Sequence, residues 1–329
     1  MKISKSKLVN IPAVYVTADL KSKNKTYYIV ASEDRGEKAY IIDADTLETR
    51  QLYDGPTGVM NIVQVPEEER LIGITGFYPV FQCRGAQINE IMPSSNNLLA
   101  KWIIRPVLDL PYCHRIGSFK NKNGKFLLAC TLCKDKNYNE DWSMPGSVYI
   151  TKIPKSGCAE WKLVKQYDGL VKNHGLWFDG ATAYVTAQNG ILKFDLSDYK
   201  EGQVVTPEII STTPTGDICV SDNYYATIEP FHGNNGALYD KSMNLIKHFD
   251  IDFGHSVWVG RLFDSEYMIL AERGGAKNIT LHDLNTGEKF VLDSGVGPTQ
   301  ISVFDRGDEV DILSANHGAG NVYLYILIK

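Results

Sequence analysis

Gly55–Val65 reads GPTGVMNIVQV, a turn marked by glycine and proline that runs directly into a short strand of apolar and β-branched residues. The arrangement returns at Thr213–Asp222 (TPTGDICVSD), Phe253–Leu262 (FGHSVWVGRL) and Val296–Asp305 (VGPTQISVFD). Leu110–Phe119 (LPYCHRIGSF) and Val171–Gly180 (VKNHGLWFDG) are related forms. Recurrence at roughly 40 to 50 residues is the spacing of propeller blades. Each entry leads into a strand that ends at a polar turn, then a strand such as KAYIID, GSVYITKI, GILKFDL, GALYD or KNITLHDL, then a fourth. With a first entry near Ala13 the count is seven, so the expected fold is an all-β, seven-bladed β-propeller, a single domain over residues 1–329. The last blade runs out at VYLYILIK after three strands, and Lys2–Ile11 is expected to supply the fourth, which removes an exposed sheet edge. Long helical periodicity is missing throughout.

Composition agrees with a packed globular chain: 43% hydrophobic and 22% charged residues in 329 allow a sizeable core. The net charge of −5 and the lack of a Lys/Arg run interleaved with aromatics exclude nucleic acid as the expected partner. MKISKSKLVNIPAVYV holds no continuous apolar segment of the kind a signal peptide or membrane span needs, so no membrane association is expected. Six cysteines without a compact framework point to a reducing, cytoplasmic setting. Cys130 and Cys133 form a lone CxxC in which positions three apart face opposite sides of a strand, a poor zinc pair.

In a four-stranded blade the entry turn and the turn between the second and third strands lie on one face of the disc. Entry turns carry His114, His174, Asp217, His255 and Gln300, with Asn61 in the corresponding region of the second blade. Second strands end at Glu33–Asp34, Tyr78, Gln188–Asn189, Glu229 with His232, Glu272–Arg273 and Asn316–His317. Five of the seven histidines therefore converge on one channel mouth, while His248 and His282 fall in outer-strand contexts. Lys134–Gly146 (KDKNYNEDWSMPG) is surplus to the third blade and reads as a loop over that mouth, offering Asp135, Asp141 and Trp142.

Imidazoles with carboxylates suit a divalent metal ion, whether zinc, manganese, magnesium, iron or nickel. The expected ligands are His174, His232, His255 and Glu229. His114, His317 and Glu272 are the expected acid–base groups, and Tyr78, Lys134, Trp142, Arg273 and Gln300 the expected substrate contacts. Trp177 and Trp258, each three residues after a channel histidine, read as core between blades. GxGxxG, P-loop and GxSxG elements are missing, which argues against nucleotide cofactors and serine-hydrolase chemistry.

PYCHRIGSF (Pro111–Phe119), FLLACTLCKDKNYNEDWSMPGSVYITKIP (Phe126–Pro154), KNHGLWFDG (Lys172–Gly180) and DILSANHGAGNVYLY (Asp311–Tyr325) resemble the propeller portion of the aldos-2-ulose dehydratase group. The chain is too short for the additional domain of the fungal enzymes. The resemblance implies a metal-dependent lyase or isomerase acting on a keto-sugar, with His114, His174 and His317 at the matched positions. The expected function is proton abstraction next to the carbonyl of a small carbohydrate. A non-catalytic scaffold propeller and a metal-dependent lactonase are the alternatives. Oligomeric state, including a homo-oligomer, stays open.

Overall fold

A computed structural model describes residues 2–23, 25–155 and 160–329. The described residues hold twenty-eight strands in seven four-stranded antiparallel sheets, and no helix. The inner strands are Val14–Ser22, Asn61–Gln64, Cys113–Asn121, Gly175–Asp179, Asp217–Val220, Gly254–Leu262 and Gln300–Asp305. Each touches the next around a circle, and the seventh touches the first. The protein is a seven-bladed β-propeller.

The chain closes as its ends suggest. Lys2–Asn10 pairs antiparallel with Asn321–Ile328 from Lys2↔Ile328 to Asn10↔Asn321, as the outer strand of the last blade. Alternation along each strand sends every second side chain into the space between neighbouring blades, where aliphatic and aromatic residues bury against one another. Trp177 and Trp258 do pack between blades. Cys130 and Cys133 fall into two different core clusters, as their spacing requires. Cys83, Cys113, Cys130, Cys133 and Cys219 are free, buried thiols that burial pushes up, Cys130 and Cys133 to about 12, so they stay protonated; Cys158 lies outside the described residues.

Two long loops share the face that carries the histidines. Residues 76–86 of the second blade and 132–145 of the third interlock: Gln82 donates to Asn139 at 3.1 Å, Arg84 pairs with Asp135 at 2.8 Å, and Arg84 also donates to the Lys136 carbonyl. Asp141 ties the third-blade loop to itself by accepting from the backbone and side chains of Asn137 and Ser143. One of the two lysines of this loop, Lys136, is buried with Nζ 3.1 Å from the Trp142 ring centroid, a cation held against an aromatic face.

Candidate metal centre

The entry turns build a layer of side chains across the channel by one repeated device. Ala13, Tyr112, Lys172 and Phe253 have positive φ (46°, 59°, 53° and 52°), and two residues later come Tyr15, His114, His174 and His255. In the first, third and sixth blades that later residue is the extra one in a β-bulge, between Val14 and Val16, Cys113 and Arg115, and Gly254 and Ser256. A bulge re-aims one side chain out of the pleat, here toward the axis. The equivalent positions elsewhere are Met60, Gly216 and Thr299, whose amides bond to the second strand as His174 does. His232 arrives from a different element. It follows the second strand of the fifth blade, sits at φ 50°, and lays its ring over that of His255 at 4.8 Å between centroids.

Four imidazoles thus adjoin, with centroids 4.5 Å apart for His114–His174, 5.0 Å for His174–His232 and 5.4 Å for His174–His255. His174, His232 and His255 each offer a ligand atom, all within 4.8 Å of one another; among the described residues this is the one such group of His, Cys, Asp and Glu. The carbonyls of Gly216 and Thr299 can only accept, so Nδ1 of His174 (2.9 Å) and of His255 (2.6 Å) must carry the proton. Nε2 of both rings therefore carries its lone pair toward the channel, that of His174 without a hydrogen-bond partner among the described residues and that of His255 meeting the Tyr15 hydroxyl, the orientation that backbone carbonyls impose on metal-binding histidines. His232 Nε2 is buried without a protein partner. Burial holds His114, His174 and His255 well below the ordinary imidazole range and brings His232 down to about 3, so all four are neutral near pH 7. Two glycines make room: a Cβ on Gly175 would lie 2.9 Å from the Asp217 Cα, and one on Gly233 2.1 Å from the Glu229 carbonyl oxygen.

A cavity of about 270 Å³ opens above these rings, bounded by Tyr15, Glu33, His114, His232, His255 and Arg273 together with the apolar side chains of Met60, Phe77, Val80, Phe81 and Phe253. The Tyr15 hydroxyl lies 3.3 Å from His255 Nε2 and 3.4 Å from His114 Nε2, and burial raises it to about 12, so it keeps its proton. At the rim His317 joins Glu33 (Nε2 to Oε1, 2.9 Å) to Arg273 (Nη2 to Nδ1, 3.0 Å). Trp142, from the third-blade loop, stacks edge-on against Phe81 and Phe231, and Phe231 covers His232 at 3.9 Å.

The other expected site residues are placed elsewhere. Glu229 does not join the histidines: it points within its own blade and accepts from Thr227 (2.7 Å) and Tyr239 (2.8 Å), because Thr227 and Glu229 share one face of their strand. Glu272 accepts from the Asp252 amide at 3.0 Å, Lys134 pairs with Asp168 at 2.7 Å, and Tyr78 stands 44% exposed outside the cavity. Gln300 belongs to a second layer, one residue further along the inner strands. There Asn61, Ser256 and Gln300 accept from the amides of Ile116 (2.9 Å), Ile301 (3.3 Å) and Thr17 (3.2 Å), each in the next blade, and Asp217 does the same for Val257. These side chains satisfy amides along the innermost sheet edges. Below them the channel widens into a cavity of about 440 Å³.

Tyr15 was absent from the expected set, although its signal was present: IPAVY at Ile11–Tyr15 is the counterpart of LPYCH at Leu110–His114, proline for proline. Glu33 was recognised as a second-strand terminus but not as a site residue. His248 and His282 sit on outer strands, bonded to Asn235 and Thr280, as expected.

No protein-family model and no curated protein matches the chain. Its likeness is to solved propeller structures. The AfRom2 CNH domain superposes with a TM-score of 0.58 over 99% of both chains at 11% identity. BBS1N, solved in complex with ARL6DN, superposes with a TM-score of 0.57 over 98% of this chain and 92% of that one, also at 11% identity. At that identity the likeness establishes the fold alone. Among the described residues no helix is long and apolar enough to cross a membrane.

Proposed function

We propose that the protein is a divalent-metal-dependent lyase or isomerase that acts on a small polyhydroxylated carbonyl compound held in the upper cavity. The observation that carries this reading is the convergence of His174, His232 and His255, two of them oriented through Nδ1 by backbone carbonyls. Three neutral nitrogens suit zinc, manganese, iron or nickel better than magnesium, which prefers oxygen. Two of the three histidines, His232 and His255, line the cavity. An ion held by these three histidines would polarise a substrate oxygen and acidify the adjacent C–H.

Glu33, which lines the cavity, is the group to take that proton, and His317, with Nε2 on Glu33 and Nδ1 on Arg273, orients it rather than acting as the base. Tyr15, which keeps its proton, can donate to the departing or rearranging oxygen. Five buried free thiols fit a reducing compartment such as the cytoplasm. The resemblance to the aldos-2-ulose dehydratase group points to the same chemistry on a keto-sugar.

The test is elemental analysis of protein expressed in replete medium, followed by metal-dependent turnover of keto-sugars and sugar acids. About one equivalent of a transition metal supports the reading, and less than about 0.1 equivalent defeats it. A dicarbonyl or isomerised product fits lyase or isomerase chemistry, whereas a ring-opened acid alone means that the ion activates water, as in a lactonase. A partner-binding propeller is the second reading, favoured by a structural neighbour that was solved in a complex. Partner capture that survives loss of His174 and His255, from a protein that never held metal, would select it.

A further inference from the structure

We propose that the ligand of the upper cavity is an anion, a small hydroxy acid whose carboxylate is received by Arg273 while adjacent oxygens reach the metal. This rests on the metal reading above and narrows its substrate class from neutral sugars to sugar acids.

Charge is the argument. The three candidate ligands are neutral imidazoles, so a bound divalent ion brings two positive charges with none on its ligands to offset them. The neighbourhood is already cationic. Among the described residues Arg273 makes no ion pair; its one polar side-chain contact is His317, and its guanidinium carbon lies 5.7 Å from the Phe253 ring centroid on the cavity wall. Arg115, next to His114, is 8% exposed, lies 5.4 Å from the Tyr15 ring, makes no ion pair, and has an Nη1 without a hydrogen-bond partner. Lys172 reaches to 5.4 Å from Phe231, the ring that covers His232, and also makes no ion pair.

Against these three cations and the ion stand Glu33, already engaged by His317, and Asp217 in the layer below. A cluster of one buried and two half-buried cations with too few counter-charges is costly, and the compensation is expected to come with the ligand. A planar guanidinium on a cavity wall with no carboxylate of its own is suited to a bidentate carboxylate. The small volume, about 270 Å³, limits the occupant to a compact molecule.

The experiment is calorimetric titration of the full chain, metal-loaded and chelator-treated, with glycolate, gluconate and galacturonate against their neutral counterparts ethylene glycol, sorbitol and galactose, and with inorganic phosphate. At least one acid should bind the loaded protein about tenfold or more tighter than its neutral counterpart. Arg273→Gln should remove that preference with metal content unchanged, and Arg273→Lys should restore part of it. Equal affinity across all three pairs, an unaltered preference in Arg273→Gln, or phosphate binding without carboxylate binding would each overturn the proposal. The metal reading fails separately: if the protein holds no metal yet binds an acid through Arg273, the anion site stands and the metal site falls. If it holds metal and no acid is preferred, the reverse is true.

Discussion

Two adjacent residues on each inner strand meet opposite fates. The upper layer (Tyr15, Met60, His114, His174, Gly216, His255, Thr299) turns toward the axis through a bulge or its equivalent. The lower layer (Val16, Asn61, Arg115, Gly175, Asp217, Ser256, Gln300) faces the neighbouring blade. In the lower layer Asn61, Asp217, Ser256 and Gln300 spend their acceptors on the next blade's backbone, whereas His174 and His255 anchor Nδ1 on a backbone carbonyl and keep Nε2 for the channel, where that of His255 meets the Tyr15 hydroxyl. Polar residues one position apart at a channel mouth therefore divide into wiring and chemistry according to whether the next blade's backbone takes their last lone pair.

If that division is right, the largest effect follows from emptying the upper layer. The double substitution His174→Ala and His255→Ala should abolish metal binding, a loss beyond the ~10–100-fold that removal of an outer-shell partner causes. The far-UV circular dichroism spectrum should stay that of the parent, since the propeller is held by packing between blades. Collapse of the fold instead would make the upper layer structural and would erase the contrast.

The lower layer should respond in the opposite sense. Asn61→Leu strands the Ile116 amide and should cost about 1–3 kcal/mol by denaturant unfolding. Metal content should not change; a loss would show that the two layers act as one unit.

Acidity sharpens the comparison because burial moves the two layers in opposite directions. The upper histidines are depressed, so the unfolded chain takes up protons below about pH 6.5 while the native state resists, and their contribution to stability is lost as pH falls. Asp217 is raised to about 6 by burial, partly offset by Arg115. Its contribution is therefore complete below the ordinary carboxyl range and is lost as pH rises through about 6. Between pH 6 and 4 the two oppose each other, and each differential proton changes stability by about 1.4 kcal/mol per pH unit. Asp217→Asn keeps the acceptor and deletes the titration, so its stability should fall more steeply than wild type on acidification through that window. Parallel pH profiles for the two proteins would mean that Asp217 does not titrate there.

The smallest effect calibrates the rest. His248→Gln, on an exposed outer strand, should change stability by no more than about 0.5 kcal/mol and leave metal content alone.

Blade count, closure by the N-terminal strand, the loops over one face and the gathering of five histidines at that face were legible in the sequence. Each follows from local rules: strand alternation, turn residues and a repeat that places equivalent turns at equivalent positions. Which side chains converge was decided only in three dimensions. Glu229 and His232 are three residues apart, yet the chain doubles back after Pro230, with Gly233 bonded to the Pro230 carbonyl, so His232 reaches the axis and Glu229 stays within its blade. Gln300 read as a ligand contact because its entry turn matches those of the histidines, but the axial position of its blade is held by Thr299, and a one-residue shift in a strand exchanges the faces. Glu33 of the first blade and His317 of the last meet beside the cavity only because the ring closes and brings those two blades together. Local sequence sets which way a strand runs and where it turns; the contacts across the axis depend on seven blade angles summing to a closed circle, which no single segment encodes.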